Sequence, residues 1–302
     1  MIGEPTRARS RLAVGIVGVG RAGSALGMAL EAAGHRVIAL HARGADSRDR
    51  AATFFPDADL GSVADVMACG DLVLLTVPDD DLPPLVAGIA ADGPWRPGQF
   101  LVHASGRYGP EILAPLAAAG AVPIALHPAM TLTGTRSDLR RLSGCPFAVT
   151  APAAARPIAE ALVVEMGGEP LWVPEGARVR YHAALSHAAN HLVTLIADSL
   201  DLLAEAGIEE PSRLLEPLTT AALDNVLRAG DAALTGPVSR GDAGTLRAHL
   251  EVLHQSPVGP SYLAMARRTA DRALASGRLA PAAGARLLAL LAGDGARGRP
   301  GR

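Results

Sequence analysis

The chain of 302 residues contains no lysine, so all 28 of its Lys and Arg residues are arginine. That absence removes any mechanism built on a lysine general acid, a Schiff base or the lysine of a phosphate-binding P-loop. Arginine does not take over as a proton donor, because it stays protonated far above neutrality. Cysteine is nearly absent too. Cys69 and Cys145 form neither a C-x-x-C pair nor a metal-ligand spacing. The expectation is no metal site and a reducing, cytoplasmic location. No run approaches the ~20 apolar residues needed to span a bilayer, and the opening residues lack the apolar core of a signal peptide. The net charge of −2 gives no reason to expect nucleic acid or an anionic membrane as partner.

What is present begins at residue 12. The stretch LAVGIVGVGRAGSALGMALEAAG leads from an apolar run (Leu12 to Val17) through Gly18, Gly20 and Gly23 into Ala/Leu-rich helical sequence. The spacing is G-x-G-x-x-G between a strand and a helix, the context that makes this motif specific. Gly18 allows the tight turn, Gly20 lets the backbone approach a pyrophosphate, and Gly23 lets the helix pack closely. Arg21 and Ala22 belong to the same turn, where the helix N-terminus offers N–H groups to the phosphates. The sequence predicts a dinucleotide site.

Residues 12 to 173 alternate short apolar runs (12–17, 36–41, 72–77, 99–104, 121–126, 146–150 and 169–173) with helical stretches such as 22–33, 82–91, 110–119 and 152–166. That alternation predicts an α/β fold with a doubly wound, mostly parallel sheet, its crevice at the strand C-terminal ends. Beyond Pro174 the strand signals stop, and helical patterns run 176–207, 211–229, 242–254, 260–276 and 281–292. Gly207, Gly230 and Gly277 sit at C-cap positions. The expected organisation is a Rossmann domain over 12–173, an all-helical domain over 174–292, and flexible tails at 1–11 and 293–302.

The cofactor class turns on the end of the second strand. An acid there would hold the ribose hydroxyls of NAD; the sequence reads ALHARGADSRDR, with no carboxylate at the strand end. Arg43 and Arg48, with the Ser47 hydroxyl, suit a 2′-phosphate, so NADP(H) is favoured over NAD(H). Solvated loop arginines and a loosely held ribose are the alternative. The turns VPDDD and HASG place Val77, Pro78 and Ser105 along the nicotinamide path, while Asp79 to Asp81 read as a strand cap and helix N-cap.

Two histidines end strands at the crevice: His103 in VHASG and His127 in ALHPAM. His127-Pro128 is the candidate for proton exchange near neutral pH, against the alternative of a satisfied structural histidine. On the long helix, His182, Ser186 and Asn190 share one face by i, i+4, i+8 spacing, and His187 and His191 form a second stripe. Either this polar face lines a cleft, or it meets solvent while Leu185, Ala188, Leu192 and Leu195 are buried. Arg240, in TGPVSRGDAGT (235–245), could pair with a substrate carboxylate, and Asp242 reads as a helix N-cap.

Together the glycine fingerprint, VPDD, the HASG and LHP turns, YHAALSHAANHLV and TGPVSRGDAGT resemble bacterial Rossmann-like oxidoreductases with a C-terminal helical domain of unknown function. The likeness runs from about residue 12 to 290. The layout is similar to the 6-phosphogluconate dehydrogenase-like superfamily, which includes β-hydroxyacid dehydrogenases, ketopantoate reductases, pyrroline-5-carboxylate reductases and prephenate dehydrogenases. The resemblance implies substrate bound between two domains and a homodimer formed through the helical one. It also marks departures. Asn190 resembles the asparagine that follows a catalytic lysine in the first two groups, but Ser186 stands in the lysine's place. His127-Pro128 and Ser186-His187 look like features of prephenate dehydrogenases, without fixing an aromatic substrate.

The resulting expectation is an NADP(H)-dependent oxidoreductase that moves a hydride to or from a small, carboxylate-bearing carbonyl, alcohol or imine. His127 would exchange the proton, Ser186 and Asn190 would orient the reacting atom, and Arg240 would hold the carboxylate. A non-catalytic dinucleotide-binding sensor on the same fold is the alternative, as is an enzyme passing electrons to a second redox cofactor.

Overall fold

The computed structural model describes residues 11–297. It divides into two compact units, Met1–Asn190 and His191–Arg302, each taken by itself below.

The first unit opens with β1 (Ala13–Val17), α1 (Arg21–Ala32), β2 (Arg36–His41), α2 (Ala45–Phe54), β3 (Asp59–Leu60) and α3 (Val63–Cys69). It continues through β4 (Leu72–Leu75), α4 (Leu82–Asp92), β5 (Phe100–His103), α5 (Ala114–Ala117), β6 (Val122–Pro128) and α6 (Asp138–Leu142). Then come β7 (Pro146–Thr150), α7 (Arg156–Glu165), β8 (Glu169–Trp172) and the long α8 (Arg178–Glu205). The strands form one sheet in the order β3-β2-β1-β4-β5-β6-β7-β8. All neighbours are parallel except β6 and β7, where Ala125 to Pro128 pair antiparallel with Thr150 to Phe147.

Alternation along the strands divides the core into two layers. Val14 and Ile16 face a cluster with Leu26 and Leu30 of α1 and Leu162 of α7. Val17 faces the other way, toward Val66 of α3 and Val86 of α4. Gly15 sits on that second face because a Cβ would stand 2.6 Å from Val66 Cγ1. Helices on both faces of a mostly parallel sheet are the doubly wound architecture expected, with strand order reversing between β1 and β4. All seven expected strands are present. The two-residue β3 and the five-residue α6 are additions.

The second unit is helical: the remainder of α8, then α9 (Pro211–Ala229), α10 (Gly236–Arg240), α11 (Ala243–Leu253), α12 (Gly259–Ala275) and α13 (Pro281–Arg297). Its core is built from Val238, Leu246, Leu250, Ala270, Leu287 and their neighbours. Gly207, Gly230 and Gly277 all take positive φ, at 84°, 55° and 71°, as helix-ending glycines should. Asp242 caps α11 by accepting from Thr245 N at 3.2 Å. By contrast, α9 buries no residue at all, although Leu214, Leu218, Leu223, Val226 and Leu227 lie along it.

The division at Asn190 falls later than the end of strand signals at Pro174, because the opening turn of α8 is anchored in the first unit by the buried Arg178. Of the expected tails, 1–10 and 298–302 lie outside the described residues, and α13 runs helical through Arg297 rather than stopping at 292. Among the described residues no helix is long and apolar enough to cross a membrane.

Candidate active site

The glycine fingerprint folds as its chemistry requires. Gly18 takes φ +97°, and a Cβ there would press on Thr76 O at 2.9 Å. Thr76 Oγ1 in turn donates to Gly18 O at 2.7 Å, locking the β1 turn to the end of β4. A Cβ on Gly23 would run into Gly18 O and, at 2.5 Å, Thr76 Oγ1. Gly20 differs: a Cβ there would meet nothing within 4 Å and would project into open space. Gly20 is also the N-cap of α1, with no side chain capping the helix. The N–H groups of Arg21, Ala22 and Gly23 therefore point out of the first turn without intrahelical partners, beside a positive dipole end. A cradle that only a missing Cβ keeps open, faced by free N–H groups, fits a pyrophosphate.

That cradle is one end of a cleft of about 380 Å³ lined by Gly20, Arg21, Ala22, Val77, Pro78, Ala104 and His127, among others. Six residues expected at the site thus share one cavity, with His127 delivered to it by the end of β6.

His127 is packed on two sides by the start of α8. Its Nδ1 shares a 2.8 Å hydrogen bond with the Tyr181 hydroxyl, and the two rings stand edge to face at 5.6 Å between centroids. The ring of His182 lies 5.8 Å away, also edge-on. Gly106 of the HASG turn admits both rings, since a Cβ there would stand 2.6 Å from His182 Cδ2 and 2.9 Å from His127 Nε2. Burial, with further lowering by His182 and Arg178, brings the His127 pKa down to about 4. At neutral pH His127 is therefore held as an uncharged imidazole, below its ordinary value near 6.5.

Beneath this pair lies Arg178, which is 1% exposed. Its guanidinium donates to Thr150 Oγ1 at 2.8 Å, Ser105 O at 2.9 Å, Ala125 O at 3.3 Å and Ala148 O at 2.9 Å. None of these acceptors is a carboxylate, so the positive charge among β5, β6 and β7 is met by dipoles at hydrogen-bond range, with Glu175 acting on it electrostatically. Desolvation lowers its pKa to about 10, which leaves it charged at neutrality. His103 is structural. It donates from Nε2 to Gly109 O at 3.0 Å and accepts at Nδ1 from Ser105 N at 3.3 Å, which fixes a neutral tautomer. Desolvation lowers its pKa to about 4 as well. The Ser105 hydroxyl accepts from the N–H groups of Arg107 and Tyr108, and so shapes the turn.

The nucleotide end shows a difference. Arg43, Ser47 and Arg48 follow β2 as expected, at the start of α2. Arg43 Nη2, however, donates to Asp81 Oδ2 at 2.8 Å. Asp81 occupies the N-cap position of α4 but makes no side-chain cap, because its carboxylate is turned to Arg43. Ser47 Oγ donates to Gly44 O at 2.9 Å and Arg48 Nε to Ala42 O at 3.4 Å.

On α8, Ser186 is half-buried and Asn190 exposed. Leu192 and Leu195, the candidates for a buried apolar stripe, are exposed, and Arg178 is the helix's one buried residue. Arg240 belongs to the second unit, at the end of α10. Tyr181, Arg178 and Gly106 escaped the sequence reading. Their only signal is an Arg and a Tyr three apart on the first turn of an apolar helix.

Residues 4–128 match a Rossmann-like domain and residues 145–269 a domain of unknown function, DUF2520. No curated protein matches the chain. Among solved structures it is similar to a Bacteroides fragilis protein described as an NADP oxidoreductase, at 20% identity over 86% of this chain and 98% of that one, TM-score 0.72. It is similar to 1-pyrroline-5-carboxylate reductase of Streptococcus pyogenes at 16% identity, 87% and 98% coverage and TM-score 0.58. It also resembles 3-hydroxyisobutyrate dehydrogenase of Mycobacterium tuberculosis at 16% identity, 95% and 94% coverage and TM-score 0.53. At such identities the likeness is one of fold. The chain thus matches a Rossmann-like domain in its first part and DUF2520 in its second, and shares its fold with these solved structures.

Proposed function

We propose that the chain is an NADP(H)-dependent oxidoreductase acting on a small carbonyl, alcohol or imine. The observation that carries this reading is the single cleft shared by the glycine cradle and His127. A pyrophosphate would rest on the N–H groups opening α1, with the adenosine end toward Arg43, Ser47 and Arg48. Val77 and Pro78 would line the path of the nicotinamide, which supplies or takes up a hydride when bound.

Residues 12–173 would serve as the dinucleotide domain and 174–292 as the substrate and dimerisation domain. Ser186 and Asn190 would orient the reacting group, and Arg240 would pair with a carboxylate. The bare apolar length of α9 supports a homodimer through the helical unit. The free thiols of Cys69 and Cys145 suit a cytoplasmic setting.

Calorimetric titration of the purified protein with NADPH and NADH tests the reading. Micromolar binding, tighter for NADPH, is expected. Failure to bind either dinucleotide would overturn it. Tight binding with no hydride transfer would favour a sensor on the same fold.

A further inference from the structure

We propose that Tyr181 is the proton donor and acceptor of this site, and that His127 is a positioning residue acting through it. The proposal rests on the oxidoreductase reading above and names the group that serves it.

The placement comes first. Tyr181 stands three residues beyond Arg178 on the first turn of α8, and Arg178 is tied to Thr150 and to three backbone carbonyls, those of Ser105 after β5, Ala125 of β6 and Ala148 of β7. The phenol is thus carried by an anchored turn rather than a swinging loop. Its hydroxyl meets Nδ1 of His127, the histidine that lines the cleft, at 2.8 Å.

The chemistry then separates the two rings. A neutral imidazole can give up its remaining proton only by becoming an anion. A phenol, with an ordinary pKa near 10, can donate at neutrality and be restored from solvent. The groups facing the pair are Arg178 and His182 from α8, His103 from β5, Asp79 after β4 and Cys145 before β7. Burial raises the Tyr181 pKa above its usual value, and among the facing groups the buried cation Arg178 opposes that rise with a field that favours a phenolate.

In reduction, a hydride from the reduced dinucleotide bonds to the substrate carbon, and the π pair moves onto oxygen or nitrogen. The O–H bond of Tyr181 breaks, its proton joins that heteroatom, and the electron pair stays on the phenol oxygen. His127, carrying its proton on Nδ1, donates a hydrogen bond to that oxygen, and solvent then reprotonates it. Alcohol oxidation runs the same transfers backward, with tyrosinate as the base.

The test uses the full chain with NADPH, pyruvate as an oxo-acid probe and 1-pyrroline as a cyclic-imine probe. Tyr181→Phe should keep dinucleotide affinity within about twofold and lose about 10²–10⁴ in turnover. His127→Ala should lose less and shift the alkaline limb of the pH–rate profile. It should equally shift the tyrosinate absorbance titration assigned to Tyr181 by difference from Tyr181→Phe, a readout that needs no substrate and is tractable with three tyrosines in the chain. His127→Asn, whose amide can donate near the Nδ1 position, should restore both. Turnover by Tyr181→Phe within about fivefold of wild type, against that expected loss, overturns the proposal and leaves the oxidoreductase reading standing. An unshifted tyrosinate titration in His127→Ala overturns the positioning role. A wild type that binds neither dinucleotide, or reduces neither probe, overturns the oxidoreductase reading and the role of Tyr181 with it.

Discussion

Arg43 holds Asp81 at 2.8 Å, so a side chain proposed to meet a 2′-phosphate already carries a carboxylate. The pair is open to water, with side-chain exposures of 71% and 47%, and is therefore weak. On the proposed reading, a 2′-phosphate would compete with Asp81 for the guanidinium. Asp81→Asn should tighten NADPH by up to about fivefold, the reach of an exposed ion pair worth about 0.2–1 kcal/mol. NADH should be nearly unaffected. Equal changes for both dinucleotides in calorimetry would show that Arg43 does not meet the phosphate.

Two glycines of one motif should fail in different ways. Gly20→Ala adds a methyl to open space, so the melting temperature should hold while dinucleotide affinity falls at least about tenfold, or about 1.4 kcal/mol. Gly23→Ala drives a methyl into Gly18 O and Thr76 Oγ1, and overpacking of that kind costs about 1–3 kcal/mol. Thermal melts alongside dinucleotide titrations separate the two. A destabilised Gly20→Ala would mean the cradle is not the empty side of the turn.

Acid should loosen the first unit well above the carboxylate range. His103 is fully buried and neutral, with a pKa of about 4, whereas in the unfolded chain it titrates near 6.5. The unfolded state therefore binds more protons across that interval. Stability is whole above about pH 6.5 and falls as pH drops toward about 4, by on the order of 3 kcal/mol for this residue. His127 adds loss in the same window. His103→Gln should flatten the dependence of the melting temperature on pH over that range. A slope equal to wild type would mean His103 is not held neutral.

Arg178 ties β5, β6 and β7 together, so its truncation strands several buried acceptors at once. Arg178→Ala should cost about 3 kcal/mol or more, at about 1–3 kcal/mol for each acceptor left unpaired. Arg178→Lys keeps the charge but cannot reproduce the planar fork, and should recover only part. In Arg178→Met the His127 pKa should rise, because a cation that opposes its protonation is gone. Histidine nitrogen NMR reads that shift directly.

The parts of the molecule governed by local pattern were legible in the sequence. Apolar runs marked seven strands, and glycine spacing marked the cradle, because both depend on neighbours in the chain. The two residues of β3 are too few to show a period, and the direction of β7 leaves no mark in an apolar run. Tyr181 and His127 are 54 residues apart, and only the folded sheet makes them a pair. The same holds for Asp81, which reads as a helix cap until Arg43 arrives from another strand end.

The reversed strand β7 also bears on how such a protein could be recombined. The DUF2520 match begins at residue 145, immediately before β7, so it takes in two strands of the first unit's sheet as well as helices. A chimera joined at that seam would import Thr150, Ala148 and Arg178 together, but would take Ser105 and Ala125 from the other parent. Since the latter two offer only main-chain oxygens, such a graft asks for matching backbone rather than matching side chains. A join inside α8, near Asn190, would instead leave the whole guanidinium knot in one parent and exchange little beyond helices.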